Sequence, residues 1–402
     1  MALAELAELP VSSKQTRRVC NIVGDERVAE RDAAVDQYQK MPLTTRKGVP
    51  EGVVAPTVAV VGVDGGRLQI FERQPSEVEA ATEEILDDVP LPEAEELKRK
   101  TSHWREDKIG LLMTMTSVVH AVDPCPEVPK SFVNPNWIPE LVKEMNRRGT
   151  AQRDRPEGES PAASTSNSAD AAKESPEWKP PEVRGKHLVA TRRPWEQFGP
   201  MVAERAWSLG FYGASRRAFL GDGAETNWTL WRQSFSSFVP ILDFIHALTY
   251  VFHAALAGRS FAAGWSAYER WIGWVWNGEV EKTIAELAQR QLELGQPPPE
   301  SKSTHPAEVV GRALGYLQRH KDRMRYAEYR TQGLPIVSSY VESAVKQFNY
   351  RVKGTEKFWR EAGAEALLQL RADYLSDDAP MPAFWQRRQA GESGQHRYQT
   401  AA

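Results

Sequence analysis

The stretch VAVVGVDGGRLQIFER, Val58 to Arg73, decides the fold. Val58 to Val63 form an apolar run of the kind that suits a strand buried on both faces, and Arg67 to Phe71 reads as a second extended run. Asp64-Gly65-Gly66 lies between them, and an Asp-Gly pair flanked by two extended runs predicts a hairpin turn. A third strand is predicted at Ile109–Val119, after an acidic, loop-like segment. Opening strands joined by a short hairpin fit a mixed α/β sheet better than a doubly wound parallel one.

Upstream, residues 1–50 read as helical. Ser12 or Ser13 can cap, and Val19, Ile22, Val23, Val28, Val35 and Tyr38 recur near helical spacing. Downstream, residues 148–183 are rich in Pro, Ser, Ala, Glu and Asp, with almost no large apolar groups to offset the entropy of ordering; they predict a disordered insertion. A helix follows at Pro194–Leu209. A strand at Ala218–Leu220 then runs into Gly221-Asp222-Gly223, and a strand at Phe238–Leu242 leads into Asp243, although Pro240 suits a central strand poorly. Residues 247–332 read as helices with a proline-rich break at Gln296–Glu300. Two helices close the chain, Ser339–Lys353 and Thr355–Leu375, with Gly354 placed for a left-handed cap between them. The predicted organisation is an N-terminal helical segment (1–50), a mixed α/β domain in three parts (51–147, 184–246 and 335–385), the disordered insertion (148–183), a helical insertion domain (247–334) and a disordered tail (386–402).

Composition narrows the function classes. The chain has 402 residues and no apolar run near the ~20 needed to cross a bilayer. Its start lacks a signal-peptide pattern, so a cytoplasmic protein without membrane contact is expected. The cysteines, Cys20 and Cys125, are far apart, which disfavours a disulfide framework or a structural zinc site. Lys and Arg number 23 against 31 Asp and Glu in residues 1–180, but 28 against 23 in residues 181–402. Chance segment differences give such a split, and so does a polyanion-binding second half. No GxxxxGK[ST] loop indicates ATP use, and no Ser-His-Asp or Cys-His arrangement competes.

The chemistry rests on acids. Asp64 and Asp222 each follow a short apolar strand and each precede glycine. Singly, each is ordinary turn chemistry. Together they place two carboxylates at the ends of strands, where adjacent strands project them to a common edge and the glycines allow close approach. Glu342 lies on the helix Ser339–Lys353, whose apolar stripe is Val341, Ala344, Val345, Phe348 and Val352. Glu342, Lys346, Asn349 and Lys353 form a neighbouring stripe. A solvated face with a Glu-to-Lys pair accounts for that stripe; so does a metal-binding carboxylate aligned with cations for DNA phosphates. Three carboxylates suffice to hold two Mg²⁺ ions that activate an attacking hydroxyl and stabilise a leaving oxygen, and Mn²⁺ can substitute. Trp265, Trp271, Trp274 and Trp276 suit core packing first and a base-stacking platform second. Arg325, Tyr326 and Arg330 suit either a solvated face or a phosphate clamp.

The segments LPVSSKQTRRV with ERVAERDAAV, VGVDGGRLQI, GDGAETNW running into ILDFIHALTYVF, and GLPIVSSYVESAVKQFNYRVKGTEKFW carry a resemblance across nearly the whole chain apart from the disordered insertion. They resemble the bacterial insertion-sequence transposases of the ISKra type, members of the DDE superfamily with a ribonuclease-H-like fold. The last segment is the most specific. The resemblance implies a DNA transposase that cuts at insertion-sequence ends and transfers the 3′-hydroxyl into target DNA, with magnesium held by Asp64, Asp222 and Glu342 and a helical block inserted before the third acid. It gives Asp243-x-x-His246 a supporting role, structural or DNA-positioning, because Asp243 can cap a helix and His246 can reach back or reach a phosphate. Arg325, Lys346, Asn349, Arg351 and Lys353 are the candidate DNA-binding residues. Double-stranded DNA is the expected partner, and a homo-oligomer on DNA follows from the need to hold two ends. Members of such families carry further N-terminal sequence, so an N-terminally shortened copy is expected; Val337 also replaces a glycine sometimes found before the SxxVE serine. Two other readings stay open: a ribonuclease-H-like nuclease that does not join, and an inactive DNA-binding remnant.

Overall fold

The computed structural model describes residues 12–70, 104–151, 179–352 and 358–391. At its centre lies β1 (Val58–Ile70), one continuous 13-residue strand. The hairpin turn expected at Asp64-Gly65-Gly66 is not formed. β1 pairs antiparallel with β2 (Trp104–Thr116) straight through those residues, with Asp64 opposite Ile109 and Gly66 opposite Asp107. Gly66 serves packing rather than turning, because a Cβ there would fall 2.8 Å from the Asp107 carboxylate.

β3 (Glu182–Thr191) extends the sheet antiparallel beside β2, while β4 (Arg216–Gly221) and β5 (Val239–Leu242) run parallel on the far side of β1. The order β3-β2-β1-β4-β5 makes a mixed sheet, joined by a two-residue β6 (Phe358–Trp359) that pairs parallel with Gln69–Ile70. β1, hydrogen-bonded on both sides, is buried from Val58 to Val63, as its unalternating apolar run requires. Pro240 is tolerated because β5 is an edge strand.

Two elements were hidden in the sequence. β3 begins at Glu182, inside the segment expected to be disordered, and a helix, α1 (Trp137–Ala151), runs into its start. Residues 152–178 lie outside the described residues. An earlier helix, Ser13–Lys40, begins with a reciprocal capping box between Ser12 and Gln15. After α2 (Trp195–Ser208) and β4 come α3 (Glu225–Ser234) and β5. The helical block follows: α4 (Phe244–Leu256), α5 (Phe261–Trp276), α6 (Val280–Leu294), α7 (Pro306–His320) and α8 (Tyr326–Thr331). The chain then returns to the sheet with α9 (Ser339–Val352), α10 (Glu361–Leu375) and α11 (Pro380–Gly391).

The expected helix Thr355–Leu375 is therefore shorter, because Phe358 and Trp359 are extended against β1; the Gly354 cap lies outside the described residues. α11 also reaches past residue 385, where a disordered tail was expected. The N-terminal helix packs on α10, where Gly24 allows the close approach of Ala366, and Arg27 pairs with Asp373 at 2.8 Å. Trp271 and Trp276 are buried in the core, with Trp265 and Trp274 packed against it, which is the packing role. Arg330 is fully buried, paired with Asp123 and stacked on Trp276, so it is neither a solvated cation nor a phosphate clamp. Tyr326 is likewise buried, its hydroxyl donating to Leu242 O at 3.0 Å. Among the described residues no helix is long and apolar enough to cross a membrane.

Candidate active site

Three elements converge at the C-terminal end of β4. The parallel register pairs Gly62 with Leu220, and Asp64 and Asp222 each follow two residues later. Gly62 and Asp64 point to the same face of β1, since side chains alternate along a strand. α9 packs on that face through Val341: a Cβ on Gly62 would fall 2.4 Å from Val341 Cγ2. The residue after Val341 is Glu342. A glycine on the strand thus sets how near the third acid comes to the first.

The charges register this convergence. Burial first, and then the like charge of Asp222, push the Asp64 carboxyl up to about 7; Glu342 adds to the rise, while the Gly65 N–H and His246 oppose it. Asp64 Oδ1 accepts from Gly65 N at 2.7 Å. Asp222 is held more firmly. Its Oδ1 accepts from Ala224 N at 2.9 Å and from Asn227 Nδ2 at 2.8 Å, and its main-chain oxygen accepts from the Tyr316 hydroxyl at 2.8 Å. Gly223 turns the chain at φ 100°, and a Cβ there would collide with the Tyr316 ring, so both the conformation and the space require glycine.

Asp243 is wholly buried and ties the neighbouring segments together. One oxygen caps α4 by accepting from Ile245 N at 2.9 Å; the other meets His246 Nδ1 at 3.0 Å and accepts from the Ser338 hydroxyl, just ahead of α9. Its main-chain N–H donates to Gly221 O at 2.8 Å, and Phe244 N donates to Ile336 O at 2.9 Å. The end of β4, the start of α4 and the approach to α9 are thereby fixed to one another. Burial alone would lower the His246 imidazole, but the hydrogen bond and charge of Asp243, with the charges of Asp222 and Glu342, lift it to about 9. At neutral pH His246 is a cation beside three acids.

Among the described residues, no three His, Cys, Asp or Glu side chains stand close enough together to hold one ion. Asp64, Asp222 and Glu342 are near enough to feel one another's charge, and that is the extent of their convergence. The candidate DNA contacts scatter. Arg325 is exposed and pairs with Glu328 at 3.3 Å; Lys346, one turn beyond Glu342, is exposed and lies 3.5 Å from Glu144. Asn349 is half-buried with its Oδ1 covered and lacking a hydrogen-bond donor, and Arg351 is exposed against the Tyr350 ring. Lys353 lies outside the described residues.

Sequence reasoning missed Tyr316, Asn227, Ser338 and the role of Gly62. Asn227 stood inside the quoted GDGAETNW segment without an assigned task, whereas a lone tyrosine 94 positions from Asp222 in the chain carries no local signal.

Fold and site together define an α/β protein with a mixed sheet, flanking helices and three acids near enough to feel one another's charge at the C-terminal end of β4. Compared with protein-family models, with curated proteins and with solved structures, the chain matches none.

Proposed function

We propose that the chain is a DDE-type DNA transposase with a ribonuclease-H-like catalytic core, related to the ISKra-type insertion-sequence enzymes it resembles. One observation carries the reading: Asp64 on the central strand, Asp222 at the end of the adjacent parallel strand and Glu342 on the helix covering them share one electrostatic site. The strand order, three antiparallel strands followed by two parallel ones, is compatible with that core.

Carboxylate oxygens are the donor type a hard divalent cation takes, although these side chains do not stand together as a ready ligand group in this structure. Asp64 keeps a proton to about 7 because it is buried beside another carboxylate; a cation at that point takes the proton's place and relieves the repulsion. Asp64 and Asp222 would hold the ion, with Glu342 contributing from its longer side chain. When bound, magnesium supplies activation of the attacking oxygen and stabilisation of the leaving one. The chain's own residues do the rest. Asn227, the Ala224 N–H and Tyr316 fix Asp222; Asp243 fixes His246 in its protonated form, a cation suited to a phosphodiester. Double-stranded DNA is the substrate, and a homo-oligomer bridging two ends is the working form.

The test is Mg²⁺- or Mn²⁺-dependent nicking and joining of labelled duplex DNA, comparing wild type with Asp222→Ala and Glu342→Ala. Metal-dependent nicking with 3′-end joining, lost in both variants, supports the transposase; nicking without joining favours a nuclease. Intact DNA binding with no cutting at any metal concentration sinks the enzymatic reading.

A further inference from the structure

We propose that the cleft between α4, α6 and α7 is a DNA-strand subsite that grips the phosphodiester backbone beside the acidic edge; the identity of its ligand rests on the transposase reading. The cleft encloses about 470 Å³. One wall is a single face of α7, carrying Gly311, Arg312, Gly315 and Arg319 at spacings that align along a helix. The facing wall is Tyr250 of α4 and Gln291 of α6.

Four features point to a polyanionic strand. First, Gly315 weakens the helix without a packing reason, because a Cβ there would meet nothing within 4 Å, and it leaves bare helix backbone for a ligand to approach. Second, Arg312 and Arg319 flank that bare face, seven residues and therefore about 10 Å apart along the axis. Arg319 forms no ion pair among the described residues, and Arg312 donates to a neutral acceptor, Ser303 O, at 2.5 Å. Third, the lining is net cationic, with one carboxylate, Glu308, against Arg312 and Arg319. Fourth, Gln291 Oε1 is buried in the wall without a hydrogen-bond donor, an acceptor that a base amino group can satisfy.

The cleft is one side chain from the acids. Tyr250 stacks on Tyr316 at 3.8 Å between ring centroids, and it is Tyr316 that donates to the Asp222 main chain. A strand lying along α7 therefore passes beside the tyrosine that fixes Asp222. Arginine suits this task because its planar fork engages phosphate oxygens in pairs.

The experiment measures binding of a fluorescein-labelled duplex in EDTA across a salt series, so that no cutting is required. It compares wild type, the Arg312→Ala/Arg319→Ala double variant, and Gly315→Leu, which fills the cleft where space is open. Each lost phosphate contact lowers the slope of log K against log salt by about 0.9, so the double variant is expected to lose nearly 2. Gly315→Leu is expected to weaken binding at least tenfold while its Tm equals or exceeds that of wild type. Wild-type slope and affinity in both variants would overturn the subsite. Absence of nicking by the wild-type protein would sink the transposase reading instead, and this binding assay reports separately from it.

Discussion

Burial pushes the Asp64 carboxyl up to about 7, and the like charge of Asp222 adds to the push. Because the folded value exceeds the unfolded one, the native state binds the proton more tightly, and the associated stability is present below about pH 4 and lost as pH rises towards 7. His246, raised to about 9 against the opposing effect of burial, acts in a higher window: its contribution is complete below about 6.5 and lost as pH rises through 9. The metal-free protein should therefore lose stability in two steps between pH 4 and 9.5, read from urea midpoints. Asp64→Asn should remove the lower step and stabilise the metal-free protein at pH 8 by on the order of 2 kcal/mol. A variant with the wild-type pH profile would show that Asp64 is not under this strain. The sequence marked Asp64 and Asp222 because each stood at the end of an apolar run beside glycine, and Glu342 through its helical stripe and the resemblance. It could not mark the groups that fix them. Asn227, Ser338 and Tyr316 reach the site from neighbouring or remote turns, and nothing in their own surroundings distinguishes them from solvated polar residues.

At the scale of elements, the docking of α9 on β1 matters most, since it brings Glu342 to the sheet. Gly62 permits that docking by leaving room for Val341 Cγ2. Gly62→Ala should cost about 1–3 kcal/mol by overpacking, and adding Val341→Ala should recover much of the loss, because the contact being relieved is between those two side chains. Strict additivity in chemical denaturation of the double-variant cycle would mean that α9 is not seated there. The same glycines explain where the sequence misled. Asp64-Gly65-Gly66 has the composition of a turn, yet β2 pairs across all three residues, and Gly66 is small because the Asp107 carboxylate needs the space. Turn chemistry and close backbone packing select the same residues, so local sequence cannot separate them. β3 was hidden differently: EVRGKHLVAT adjoins a polar, proline-rich stretch whose composition dominated the reading, while its strand character comes from pairing with β2 and from Ser376 and Asp377, which hold its backbone from beyond α10. Helices fared better. The apolar stripe predicted for Ser339–Lys353 is the buried stripe of α9, because helical periodicity is written in consecutive residues.

At the scale of the whole molecule, a mixed sheet followed by a helical block was expected and the structure has both, but the hairpin on which the mixed sheet was argued is one continuous strand, and β3 was not among the predicted strands. The spatial order β3-β2-β1-β4-β5 was not legible, since strand adjacency is decided by contacts between segments as far apart in the chain as Val58 and Arg216. That order matters for function: it sets β4 beside β1 and so brings the charge of Asp222 to Asp64. The helical block then joins the sheet edge through Tyr316, and α9 closes over it with Glu342. Metal binding tests, without knowledge of any DNA sequence, the proposal that Asp64, Asp222 and Glu342 hold one divalent ion. Electron paramagnetic resonance of Mn²⁺ titrated into the full chain should show bound ion in wild type, binding weakened at least tenfold in Asp64→Asn and Asp222→Asn, and unchanged binding in Glu225→Gln, an exposed acid paired with Arg232 at 2.6 Å. Equal Mn²⁺ binding in all four proteins, or none in wild type, would contradict the claim.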